Sequence, residues 1–175
     1  MSLSATQHSI KRSMLAGIAS IAAVAYLTVT MQAWSITQAV ALHFIWAYAL
    51  VAVGIWLPVM IGIRATERFF DTAQIDGSMP VSQRSAINAR VLQNTIEQTI
   101  LAVLADLLLV LSNAHHAAML LIAHAALFSV GRGLFWWGYH YQPAARAYGF
   151  TLTFYSSVAI YLYAASFLLR ALFAT

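Results

Sequence analysis

Residues Ala89–Leu111 read ARVLQNTIEQTILAVLADLLLVL. Arg90, Asn94 and Glu97 stand four and three residues apart, so at about 100° per residue they share a sector of about 60° on an α-helix. Leu101, Leu104 and Leu108 continue the same sector. One face therefore starts as a cation, an amide and a carboxylate and ends as aliphatic carbon. The rest of the segment is apolar nearly all round, the pattern of a membrane span. An ionisable side chain at the bilayer centre costs about 2.5–3.5 kcal/mol on insertion scales. Two of them with an amide between indicate either a polar pocket between helices or a helix end in the headgroup layer, where Arg90 and Glu97 form a structural ion pair.

Composition extends the membrane reading to the whole chain. The 175 residues are 62% hydrophobic and 8% charged, where a soluble domain carries about 25% charged residues. The mean hydropathy is +0.77. The expected fold class is all-α: an integral membrane helical bundle with room for four or five spans. There is no cysteine, which excludes a disulfide framework, a thiolate metal site and a cysteine nucleophile. The formal net charge of +4 is spread thinly, so it bears on orientation in the membrane rather than on nucleic acid, and no nucleic-acid partner is expected.

On the N-terminal side of the organising stretch, Met14–Ala33 is an apolar run of spanning length after Lys11 and Arg12. It is long for a signal peptide and ends in no small-x-small site, so it is read as a retained helix. Trp34–Gln38 is an uncharged turn and Ala39–Ile63 a second span, which Pro58 should kink. Arg64–Asn88 is read as one long polar connection, with a turn signal at Asp76–Pro80. The organisation expected is residues 1–38 as an N-terminal segment with an extra helix and residues 39–175 as a four-helix membrane domain.

On the C-terminal side, Asp106 lies opposite Arg90 on the third span and is expected to be a structural carboxylate, paired across helices or wetted at the interface. Ala117–Tyr139 is the fourth span and Ala144–Leu172 the fifth, separated by Gln142-Pro143. His115, His116 and His124 supply no pair at the i, i+4 spacing of a ligand set, so no metal is expected. His124 is read as a hydrogen-bonded core residue. Lys and Arg gather before the first span, in the second-to-third connection and around the fourth-to-fifth turn. The positive-inside rule then predicts a cytoplasmic N-terminus and places Arg90, Arg132 and Arg146 at one membrane surface.

A second stripe lies at that surface. Arg132, Trp136 and Tyr139 share a helix face, and Arg146 follows beyond Pro143 in the first turn of the next helix. Free N–H groups and the helix dipole favour an anion at such a start, and an arginine adds a permanent charge. Spacing alone leaves open whether this is an anion site or the basic collar that fixes topology.

The two stripes together resemble the MAPEG family, the membrane-associated proteins of eicosanoid and glutathione metabolism. Arg90-x-x-x-Asn94-x-x-Glu97 is similar to the signature of that family's second core helix. Gly131-Arg132, Gly138-Tyr139 and Arg146 are similar to its third-helix end and fourth-helix start. The resemblance covers about Val53–Leu172, as in a bacterial-type member with an extra N-terminal helix.

The resemblance implies a homotrimer of four-helix bundles with sites between protomers, open to the cytoplasm, in a bacterial inner membrane. It implies glutathione as co-substrate, held by Arg90, Asn94, Glu97, Arg132 and Tyr139, with Arg146 stabilising the thiolate and a lipophilic electrophile arriving from the membrane lipids. The implied activity is that of a membrane-bound glutathione transferase or peroxidase; the alternative is a non-catalytic lipid-binding or scaffold protein of the same fold. Three positions depart from the family pattern. Ile100 stands where a proline is frequent, Phe135 where a tyrosine is common, and Gln98 where an aromatic often follows the glutamate.

Overall fold

The computed structural model describes residues 4–30, 41–70, 82–112, 114 and 116–173. These residues form six α-helices: α1 Ala5–Thr30, α2 Leu42–Gly54, α3 Trp56–Phe70, α4 Gln83–Leu111, α5 Ala117–His140 and α6 Pro143–Phe173. Helices α2 and α3 make one interrupted rod, Leu42–Phe70, so five rods are long and apolar enough to cross a membrane. The all-α membrane bundle read from the sequence is the fold.

Local chemistry explains the boundaries. Helix α1 begins well before the expected Met14 because Ser4 and Gln7 form a reciprocal cap: Gln7 N–H donates to Ser4 Oγ at 3.3 Å and Ser4 N–H to Gln7 Oε1 at 2.7 Å. The second rod breaks at Ile55, three residues before Pro58, which has no N–H to offer the carbonyl of Gly54. The expected polar connection Arg64–Asn88 is corrected at both ends. Helix α3 continues to Phe70, and α4 starts at Gln83, where the Ser82 side chain accepts from Ser85 N–H at 3.1 Å. Arg64, Glu67, Ser85 and Asn88, on these helical ends, bond to one another. The turns expected at Trp34–Gln38 and Asp76–Pro80 lie outside the described residues.

Two apolar cores fill the bundle. The larger joins α2, α4, α5 and α6 through Val53, Ala102, Leu109, Leu121, Phe128 and Ala164; the smaller, nearer the arginines, holds Met60, Val91 and Phe135. Helices α5 and α6 form a tight antiparallel hairpin. A Cβ on Gly138 would fall 2.1 Å from the Arg146 nitrogen, and one on Gly149 would fall 2.4 Å from the Phe135 nitrogen. Backbone meets backbone there, as small residues allow in membrane interfaces. Ala5, Thr6 and Ser9 of α1 border the same hollow as Gln142 and Pro143, so the start of α1 lies at the membrane end where α5 turns into α6.

Candidate functional site

Four of the six site residues read from the sequence form one chain of contacts at that end of the bundle. Arg132, on α5, is 1% exposed. One terminal nitrogen donates to Asn94 Oδ1 at 3.0 Å and to the Asn94 carbonyl at 3.3 Å, which ties α5 to α4. Its guanidinium carbon lies 4.1 Å from the centre of the Phe135 ring. Phe135 meets Tyr139 edge-on at 5.0 Å, and the Arg146 guanidinium stands 4.8 Å over the Tyr139 ring. Each cation–ring contact contributes on the order of 0.5–2 kcal/mol, more as water is excluded. Gly138 sets the far end of this chain, because its missing side chain lets the first turn of α6 lie against the last turn of α5.

Arg90 and Glu97 are placed differently. Both are exposed on the outward face of α4, and Glu97 accepts a hydrogen bond from Gln93 Nε2 at 2.9 Å. Ile100 and Leu104 continue that exposed face. The stripe that organised the sequence reading therefore points out of the protomer, and Asn94 at its edge is the member that turns in to Arg132.

Charge at the site is incompletely balanced. Among the described residues, Nε and the second terminal nitrogen of Arg132 are buried without a hydrogen-bond partner. A buried guanidinium is costly unless its donors are met, so this one is poised for an acceptor such as a carboxylate. At the start of α6, Pro143 brings no N–H and Arg146 N–H already donates to the Gln142 carbonyl at 3.2 Å. The amides of Ala144 and Ala145 are what that turn can offer an anion.

Sequence reasoning missed a neighbouring network at the same end. Asn88 donates to Glu67 Oε1 at 2.6 Å, while its own Oδ1 accepts from Trp136 Nε1 at 3.0 Å and lies 3.2 Å from His140 Nε2. Arg64 is buried, pairs with Glu67, and donates to the Ser85 hydroxyl and carbonyl. The available signal was spacing: Arg64 and Glu67 stand three residues apart, as do Ser85 and Asn88, so each pair shares a helix face. The network locks α3, α4 and α5 together and holds Trp136 on the side of α5 facing α4. Beside it a hollow of about 730 Å³ is bordered by Arg84, Ile87, Trp137 and Tyr141.

A third polar group lies deep in the span. His124 Nδ1 is 2.7 Å from Asp106 Oδ1, and its Nε2 is 3.0 Å from Ser157 Oγ. Asp106 is thus paired across helices and His124 is a hydrogen-bonded core residue. Among the described residues, no cluster of three or more His, Cys, Asp or Glu side chains is arranged to hold a metal ion.

Fold and site define a polytopic helical membrane protein with a cluster of guanidinium and aromatic side chains at one membrane end. The model of the MAPEG family matches residues 42–166, well over half of the chain, and the chain belongs to that family. No curated protein and no solved structure matches it. Helix α1 lies outside the matched residues.

Proposed function

We propose that this chain is a membrane-bound glutathione transferase or peroxidase, with Arg146 stabilising the thiolate. The observation that carries the reading is the unbroken contact Asn94–Arg132–Phe135–Tyr139–Arg146, which gathers side chains of three helices, two guanidinium groups among them, at one membrane end in a chain of this family. The two unpartnered donors on Arg132 fit a carboxylate of the tripeptide.

Glutathione would supply the nucleophile, since a thiol with pKa near about 8.5 is only partly ionised at neutral pH and the thiolate is the reactive form. Holding that pKa about two lower takes roughly 2.7 kcal/mol of preference for the anion. A half-buried guanidinium in a first helical turn favours the anion in that direction. The electrophile would be a lipophilic molecule that reaches the site from the bilayer. In conjugation, sulfur bonds to its electrophilic carbon as the leaving group departs.

The outward face carrying Arg90, Glu97, Ile100 and Leu104 supports a homotrimer in which this face meets a neighbouring protomer, so that Arg90 and Glu97 complete the neighbour's glutathione pocket. The expected setting is a bacterial inner membrane with the arginine-rich end in the cytoplasm.

The test is spectroscopic. Glutathione added to the purified protein in detergent should give thiolate absorbance near neutral pH, and Arg146→Ala should abolish it while binding persists. An undiminished thiolate signal in Arg146→Ala would remove that residue from the mechanism. A second reading, a non-catalytic lipid-binding or scaffold protein, is favoured by Phe135, which puts a ring without a hydroxyl between Arg132 and Tyr139. Lipid binding with no measurable glutathione binding would establish it.

A further inference from the structure

Helix α1 is held against α6 at two adjacent points. A Cβ on Gly17 would lie 2.7 Å from Thr151 Cγ2, so the helices touch there, and Ser20 Oγ and Tyr148 OH are 2.8 Å apart. Beyond this clamp a cavity of about 280 Å³ lies between α1, α5 and α6, walled by Ile21, Val24, Leu127 and Ile160. Three polar side chains, His124, Ser156 and Tyr163, stand on its wall. His124 uses both ring nitrogens on Asp106 and Ser157, and Ser156 donates to the Leu152 and Thr153 carbonyls.

We propose that this cavity is a binding site for an uncharged aliphatic chain, created by adding α1 to the family's four-helix core. Its occupant follows from chemistry. A buried water needs two to four polar partners, and an apolar cavity stays dry. A charged headgroup would be left unpaired at high cost. The volume is just under the roughly 300–1,000 Å³ of sites for drug-sized molecules, so it suits one slender chain or part of one. The surrounding medium is itself hydrocarbon. His124 is eight residues from Arg132 on α5, about 12 Å along the helix axis. The cavity is therefore a site separate from the arginines, and its occupancy does not depend on any thiol chemistry there.

The experiment places the full chain in phosphatidylcholine vesicles with a long-chain alcohol bearing a diazirine. Peptide mass spectrometry locates the photo-adducts, and unlabelled hexadecanol competes. Tyr48 and Val51, exposed on α2, report labelling from bulk lipid. Adducts should concentrate in Ile21–Val29 and Leu120–Leu127 and fall about tenfold under competition. Ala123→Phe and Ala159→Phe, which fill the cavity from different helices, should each remove them while α2 labelling stays constant. Circular dichroism checks that each variant folds, and competition on the unaltered chain stands apart from both variants. Adducts no denser than on α2, or undiminished by hexadecanol, would overturn the proposal.

Discussion

Arg132 shows how one residue can be both structural and poised for a ligand. Its hydrogen bonds run to the side chain and the carbonyl of a single residue, Asn94. Asn94→Ala should therefore lower stability by about 1–3 kcal/mol, the cost of leaving a buried donor unmet, read as a lower unfolding midpoint in detergent. Asn94→Asp, which keeps the acceptor, should restore most of it. Asp106, His124 and Ser157 form one buried chain, and Ser157 also donates to the Thr153 carbonyl at 2.7 Å. An asparagine at 106 keeps a hydrogen-bonding group beside Nδ1. Asp106→Asn should thus keep stability close to that of the parent chain, whereas Asp106→Ala should lose about 1–3 kcal/mol. Equal loss in both variants would show that the carboxylate charge itself is required.

Among the elements, the α5–α6 hairpin decides where Arg146 sits. Its glycines do not supply unusual dihedrals; they remove side chains where two backbones touch. Gly138→Ala forces the first turn of α6 away from α5, because the obstructing atoms belong to backbone that cannot rotate aside. The expected cost is about 1–3 kcal/mol of overpacking; under the proposed function, glutathione binding should weaken as well, because Arg146 moves off Tyr139. Unaltered glutathione affinity in a Gly138→Ala chain that unfolds earlier would separate the hairpin from the site. Helix α1 is attached more lightly, through a close approach at Gly17 and one side-chain hydrogen bond to Tyr148. Gly17→Leu should detach it, measured as faster amide hydrogen exchange confined to Ala5–Thr30 while α4, α5 and α6 keep their protection.

Across the whole molecule, Arg132 and Arg146 lie at one end, Arg170 lies at the other, and an exposed stripe runs down α4. If that stripe meets a neighbouring copy, Arg90→Ala and Glu97→Ala should weaken glutathione binding about tenfold each, the loss of one charge-assisted contact. They should do so with little shift in unfolding of the isolated protomer, because both side chains are exposed and the Gln93–Glu97 hydrogen bond lies at the surface of one helix. Calorimetric titration with glutathione, beside thermal unfolding of the same variants in detergent, would measure both effects. Unchanged affinity in the two variants would confine the pocket to the contacts within one chain.

The sequence by itself determined the five membrane rods, the shared end of Arg132 and Arg146 and the family, because each rests on local information. Hydropathy over a span's length, the distribution of Lys and Arg between spans, and residues four and three apart on one helix need no tertiary contact to be legible. Asp106 and His124 were legible as polar residues in need of partners, but not as partners of each other. The tertiary structure alone decided which way the α4 stripe faces, that Arg64 and Glu67 belong to a buried network rather than a loop, and that α1 leaves a cavity against the bundle. Those are outcomes of how helices rotate and approach in a medium equally apolar on every side. In such a medium hydropathy does not choose a face, and close backbone contacts and unmet hydrogen bonds do.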